Sequence, residues 1–274
     1  LFVVTLGVLL LVVTSLIRWI GHISAIGRVG HTIGVVETET RRSLNAMSEH
    51  PLLDCRRLEG QATGEPISPQ KPGYVQHCDA DALQKLAEKH DLVVAILARP
   101  GAYATPVRPL MRVEGRLDED LRAALLDCFA LGDHRAFDSD PRFGFIVLGE
   151  IADKALSSAI NDPGTAIVVI DTATRLLLEW EDEKRSGEND RLLVAPLAAR
   201  DVLEDFYRPL TRDGAHVIEV VLRLLKSLET VAACKPAFAE AARDIARDAI
   251  ARGEKAMTAA SDLDTLRKAG IWAT

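Results

Sequence analysis

The chain has 274 residues, 48% of them hydrophobic and 27% charged, which is enough for a packed core and too apolar for disorder. A formal charge of −7 and only 5% aromatic residues argue against a basic nucleic-acid-binding face and leave few platforms for base stacking. Its four cysteines, Cys55, Cys78, Cys128 and Cys234, form no CxxC pair. Neither a zinc site nor a disulfide framework is therefore expected, and a reducing compartment is the default.

Leu1–Ile17 (LFVVTLGVLLLVVTSLI) carries no ionisable side chain before Arg18. As a helix it would rise roughly 25 Å, close to the hydrocarbon thickness of a bilayer. The basic leader and small-residue cleavage site of a signal peptide are both missing from it. Residues 1–20 are accordingly expected to be a transmembrane helix, the last of a membrane region interrupted at Leu1. The alternative is a buried core helix. Arg18 and Arg28 flank the run, Trp19 sits at the interfacial level, and no acid precedes Glu37, which by the positive-inside rule puts the rest of the chain in the cytoplasm.

Residues 21–49 read as an amphipathic continuation, with Ile23, Ile26, Val29, Ile33, Val36, Leu44 and Met47 at helical steps. Gly27, Gly30 and Gly34 give it a small-residue edge suited to close helix pairing between subunits, or simply a loosened helix. Residues 50–72, rich in Pro, Gly and polar side chains, read as a linker. Residues 73–116 read as a small β-rich module, with strands near Gly73–Asp79, Leu92–Leu97 and Leu110–Val113 around a short helix capped by Asp79 or Asp81. Residues 117–274 read as a helical domain, its first helix running from an Asp118 cap through Ala130. The fold class is α+β, mainly α.

Two polar turns stand out. Gly132–Pro141 holds Asp133, His134, Arg135, Asp138 and Asp140 before a helix expected from about Phe143 to Ala159. Asn161-Asp162-Pro163 then breaks the chain, with Asp162 as N-cap, Pro163 at the first helical position and Thr165 near the third. His134, Asp138 and Asp140 together form one conceivable mixed nitrogen–oxygen metal site, against the plainer reading of acids as caps and dipole partners. Arg135 is suited to bind one of these acids in bidentate fashion and lock the fold. The sequence contains no nucleophile elbow, HExxH or phosphate-cradling glycine loop. No metal and no cofactor is assigned.

The stretch Leu131–Ala166 resembles the signature of a bacterial family of predicted membrane proteins of unknown function. Its Asp-x-x-Phe-Gly element matches Asp140, Phe143 and Gly144, preceded by Gly132 and Arg135. Its helix-to-helix motif matches Ala155-Leu156-Ser157 and Ile160-Asn161-Asp162-Pro163 with Thr165 and Ala166. Gly73-Tyr74-Val75-Gln76, Pro100-Gly101 and Pro109-Leu110 are similar to its β segment. The chain departs from the pattern at Ala102, where the family carries an acid, at Lys154 for Arg, and at Ser158-Ala159 for Pro-Gly. The resemblance implies a membrane region joined to a cytoplasmic domain and no established chemistry.

The expected role is therefore assembly, regulation or a channel- or transporter-like function at the bacterial inner membrane. The expected partners are the lipid bilayer and a second copy of the chain, with no nucleic acid and the protein partner open. The alternative is a membrane-anchored metal-dependent hydrolase using the cluster at 133–140.

Overall fold

The uncharged opening segment and the stripe behind it form two successive helices, α1 (Phe2–Ile26) and α2 (Val29–Glu49). The computed structural model describes residues 2–26, 29–183 and 187–273. Along α1 the side chains of Phe2, Leu6, Leu9, Leu10, Leu11 and Leu16 are exposed. Among the described residues no helix is long and apolar enough to cross a membrane. The transmembrane helix expected over residues 1–20 is therefore not shown by the described residues.

A 3-10 turn, Pro51–Asp54, leads into β1 (Cys55–Arg57), β2 (Glu65–Ile67) and β3 (Gly73–Cys78), then α3 (Ala80–Lys89), β4 (Val93–Ile96), β5 (Tyr103–Ala104) and β6 (Met111–Glu114). After α4 (Glu119–Asp127) come β7 (Phe129–Gly132), α5 (Pro141–Leu156), α6 (Pro163–Glu179) and β8 (Asn189–Val194). Four helices close the chain: α7 (Ala199–Asp213), α8 (Ile218–Cys234), α9 (Ala239–Ala256) and α10 (Ala260–Ala269).

The strands make a five-stranded sheet, order β1-β8-β4-β6-β2, and a three-stranded sheet, order β5-β3-β7. β8 runs parallel to both β1 and β4, with Val94 opposite Leu192, while β4–β6 and β6–β2 are antiparallel. Around the sheets Leu52, Ile67, Leu83, Ile96, Met111, Leu125 and Leu192 form one buried cluster. A second core lies between α2 and the later helices, built from Ile33, Val36, Phe145, Val169, Phe206, Tyr207, Leu224 and Phe238 among others.

Several sequence boundaries change. The expected linker 50–72 contains the 3-10 turn, β1 and β2, because three-residue strands are too short to show alternation and β1 finds its partner more than 130 residues later. The first helix after Asp118 stops at Asp127, and Phe129 belongs to β7, drawn out by pairing with β3 at Cys78. The β part therefore takes β7, α4 and β8 from the expected helical region 117–274. The apolar stripe on α2 is used within the chain. Ile33, Val36, Leu44 and Met47 pack inside the chain's own helical core. Gly144 of α5 lies so close to Thr40 of α2 that any Cβ there would overlap the threonine side chain.

Charges fix the same seam. Glu37 accepts from Arg175 and Arg41, both at 3.0 Å, and Arg41 also donates to Glu179 at 2.7 and 2.9 Å. The hydrogen bond from Arg175 leads in holding the Glu37 carboxyl below its ordinary value. This ladder ties α2 to α6 at the solvent edge of the core.

Candidate functional site

Where α2 ends, the backbone does something unusual. Leu52, Leu53 and Asp54 all take left-handed conformations, with φ of 57°, 55° and 56°. For non-glycine residues each such conformation costs about 1–2 kcal/mol, so a run of three persists only where surrounding contacts over-determine it. Those contacts are present. The Leu52 side chain is buried, its N–H donates to Glu183 Oε1 at 3.0 Å, and His50 Nδ1 lies 2.6 Å from Asp54 Oδ2. Gly187 passes against the Asp54 backbone, too close for any Cβ.

Glu183 is the anchor. It is 5% exposed and receives a bidentate Arg99 guanidinium at 2.6 and 2.8 Å, plus the Leu197 N–H at 2.9 Å. Burial pushes its carboxyl up, but Arg99 and the N–H groups of Leu197 and Leu52 outweigh burial and leave it below its ordinary value. One carboxylate thus joins the turn after α2, the end of β4 through Arg99, and the chain on either side of β8.

Beside this anchor opens a cleft of about 410 Å³. Its walls come from α2 (Ser43, Met47), the left-handed turn that follows it (His50, Leu53, Asp54), the β3–α3 junction (His77, Cys78, Asp79, Asp81), Arg99-Pro100, and Ser139 with Pro141 at the start of α5. Asp79 caps α3 by accepting from the Ala82 N–H at 2.9 Å. Burial pushes the Cys78 thiol well above its ordinary range, so it is protonated and unsuited to attack as a nucleophile. The wall is rich in acceptors and holds no activated nucleophile among these residues, an arrangement suited to binding.

The residues singled out from the sequence lie next to this cleft and at the far end of α5. Arg135 Nε and Nη2 both approach Asp140 Oδ2 at 2.7 Å, and the guanidinium also covers the Phe143 ring at 5.5 Å. Asp140 is 3% exposed and caps α5 through the Phe143 N–H. Burial raises its carboxyl above the ordinary value, against the opposing pull of Arg135. Gly101, at φ +90°, lies flush on this carboxylate, where a Cβ would collide with it. Pro100-Gly101 and Asp140 therefore form a single packed unit behind the cleft wall.

Asn161, Asp162, Pro163 and Thr165 sit at the opposite end of α5. With 16 residues between the two turns, they stand roughly 24 Å apart and do not meet. Asp162 accepts from the Thr165 N–H at 3.1 Å and its hydroxyl at 2.6 Å, while Asn161 takes the left-handed turn position at φ 48°. The hydrogen bonds from Thr165 hold the Asp162 carboxyl below its ordinary value. These contacts are those of a helix-to-helix connection.

His134 and Asp138 are exposed while Asp140 is turned into its pairing with Arg135, and among the described residues no group of three His, Cys, Asp or Glu side chains is arranged to hold a metal. Gly27 lies outside the described residues. Gly30 and Gly34 are exposed, with open space where a Cβ would stand.

Sequence reasoning missed Arg99, Glu183 and the His50–Asp54 pair. Glu183 reads as the end of the helix begun at Pro163, with a charged loop following from Lys184, and Arg99-Pro100-Gly101 reads as punctuation after a strand. The available signal was the His-Pro-x-x-Asp spacing after an amphipathic helix, which is weak by itself.

Uncharacterised proteins of Mycobacterium bovis and of Mycobacterium tuberculosis are each 30% identical to the chain over 115 residues. That stretch is 40% of this chain and 22% of either relative, so the chain spans about a fifth of the length of the curated proteins it matches. No solved structure matches it. The profile of DUF2254, described as predicted membrane protein, matches residues 1–230, and the chain belongs to that family.

Proposed function

We infer that the chain is the cytoplasmic part of an integral inner-membrane protein, tethered through α1, and that it serves assembly or regulation of the membrane region. The observation that carries this reading is the path of α2. It follows the exposed apolar helix α1 directly and is then gripped by α5 and α6 through Thr40–Gly144 packing and the Glu37–Arg175 and Arg41–Glu179 pairs. A displacement at the bilayer would reach the helical core through a packed, charge-laddered helix. The Gly30–Gly34 edge, open on this chain, is available to a second copy. Channel- or transporter-like activity is an extension of the same reading.

Cys234 supplies the test, since it is exposed while Cys55, Cys78 and Cys128 are buried. Full chain is expressed in bacterial membranes and treated with a membrane-impermeant maleimide in inside-out and right-side-out vesicles. Labelling of Cys234 in inside-out vesicles alone, together with resistance to alkaline extraction, is the expected result. Labelling from the outside overturns the orientation, and release by alkaline buffer overturns the tether.

A further inference from the structure

The geometry points to the cleft between α2, the β3–α3 junction and the start of α5 as a binding site for a small aliphatic amine, a ligand that carries its positive charge on ammonium groups. This adds a ligand to the regulatory reading above, and its test does not depend on where the chain sits relative to the membrane.

The argument begins with the charge facing the cleft. Asp54, Asp79 and Asp81 line it, and among the described residues Arg99 is the one Lys or Arg in its wall. That guanidinium is spent elsewhere, on both oxygens of Glu183 and on the Ala195 carbonyl at 3.1 Å. The two helix N-termini that open here, those of α3 and α5, are each capped by a carboxylate of their own, Asp79 on the Ala82 N–H and Asp140 on the Phe143 N–H, which disfavours an anion at either. The field left in the cleft favours a cation.

Donor and acceptor matching narrows the class. His50 Nδ1 meets Asp54 Oδ2 at 2.6 Å, and a carboxylate has acceptor capacity to spare beyond that one contact. Asp81 adds carboxylate oxygens on the opposite wall. A second, independent observation comes from Ser43. It lines the cleft, is 1% exposed, and its Oγ has no hydrogen-bond partner. A serine in a helix commonly turns back to a carbonyl one turn earlier, and a buried hydroxyl without a partner is destabilising on its own. An ammonium group carries only donors, three of them, which is the complement of a wall of acceptors. Met47 and Leu53 supply apolar wall for a short methylene chain, and about 410 Å³ is in the range of small-molecule sites.

The probe is 1,5-diaminopentane, titrated calorimetrically into full-length protein in detergent, with 1,5-pentanediol and glutarate as neutral and anionic matches of similar length. Saturable diamine binding with no diol or glutarate binding is expected. Asp81→Asn is expected to weaken it about tenfold, the loss of one charge-assisted contact. Ser43→Ala, which removes a hydroxyl that has no partner in the fold, is expected to weaken binding while leaving the unfolding midpoint unchanged or higher. Absence of diamine binding at millimolar concentration overturns the proposal. So does binding that both substitutions leave unchanged, or a preference for glutarate.

Discussion

Replacing Arg99 by Met would leave Glu183 buried, with only the Leu52 and Leu197 N–H groups to hold it. Breaking a buried ion pair by removing one partner typically costs about 3–5 kcal/mol, because the remaining charge is neither paired nor solvated. Glu183 at 5% exposure is in that regime, and two backbone donors soften the penalty, so a loss of about 3 kcal/mol is expected. The loss should depend on pH. In the native protein Glu183 lies below its ordinary value of 4.5, so the stability it contributes is present at neutral pH and disappears as pH falls through the lowered folded value. Without Arg99 its carboxyl rises instead, and the deficit of Arg99→Met should shrink steadily on acidification. Urea unfolding of the full chain followed by circular dichroism, at pH 7.5 and pH 5, measures both quantities. Glu183→Gln and the double variant complete a cycle in which the two substitutions are expected to be strongly non-additive. A deficit below about 1 kcal/mol, or simple additivity, would refute the view of Glu183 as the anchor of the left-handed turn.

Other perturbations separate the remaining features. Asp153 on α5 shares a hydrogen bond with Asp213 after Arg212, which lifts Asp153 from 3.8 to about 6 while Arg212 lowers Asp213 to about 2. Stability from the raised Asp153 is complete below pH 3.8 and lost as pH rises through 6, whereas that from Asp213 is present above 3.8 and lost toward pH 2. The pair therefore contributes most near pH 4, and after discounting for solvent Asp153→Asn should raise stability at pH 7.5 by about 1 kcal/mol relative to pH 5, read from urea midpoints. Gly101→Ala combines a left-handed φ with a collision against Asp140, so a loss of about 2–3 kcal/mol is expected by thermal or urea unfolding. Asp162→Ala removes an exposed cap and should lower the urea midpoint only slightly, with no effect on amine binding roughly one helix length away. In the native protein a thiol reagent should modify Cys234 at once and the three buried cysteines only after denaturant, as counted by mass spectrometry.

What could be read from the sequence follows from how local each cause is. Asp118, Asp140 and Asp162 are legible as helix caps because a cap and the N–H groups it meets lie within three residues. Arg135 reaching Asp140 is legible for the same reason, at a separation of five residues. The hydrophobic stripe of α2 is visible as a period, but a period does not say whether the face meets a neighbour or the same chain. Here Gly144 and Thr40 settle it within the chain, a contact across more than 100 residues. The β part resisted reading because β1 and β2 are three residues each and β8 follows a helix far downstream. The cleft was hidden for a related cause. Its walls come from five separate segments, and the residue that organises it, Glu183, looks like any other acid in a charged run.

The strand order has a consequence for biosynthesis. The five-stranded sheet is completed only when Asn189–Val194 slides between Cys55–Arg57 and Val93–Ile96 as an interior strand, second from the edge and parallel to both neighbours. Until the ribosome has delivered that segment, the flanks it will occupy are bare edges, able to pair with any passing extended chain. A nascent polypeptide halted after α6 would consequently be the sticky species in this protein's life. Its hazard is confined to the interval in which one interior strand is still being made.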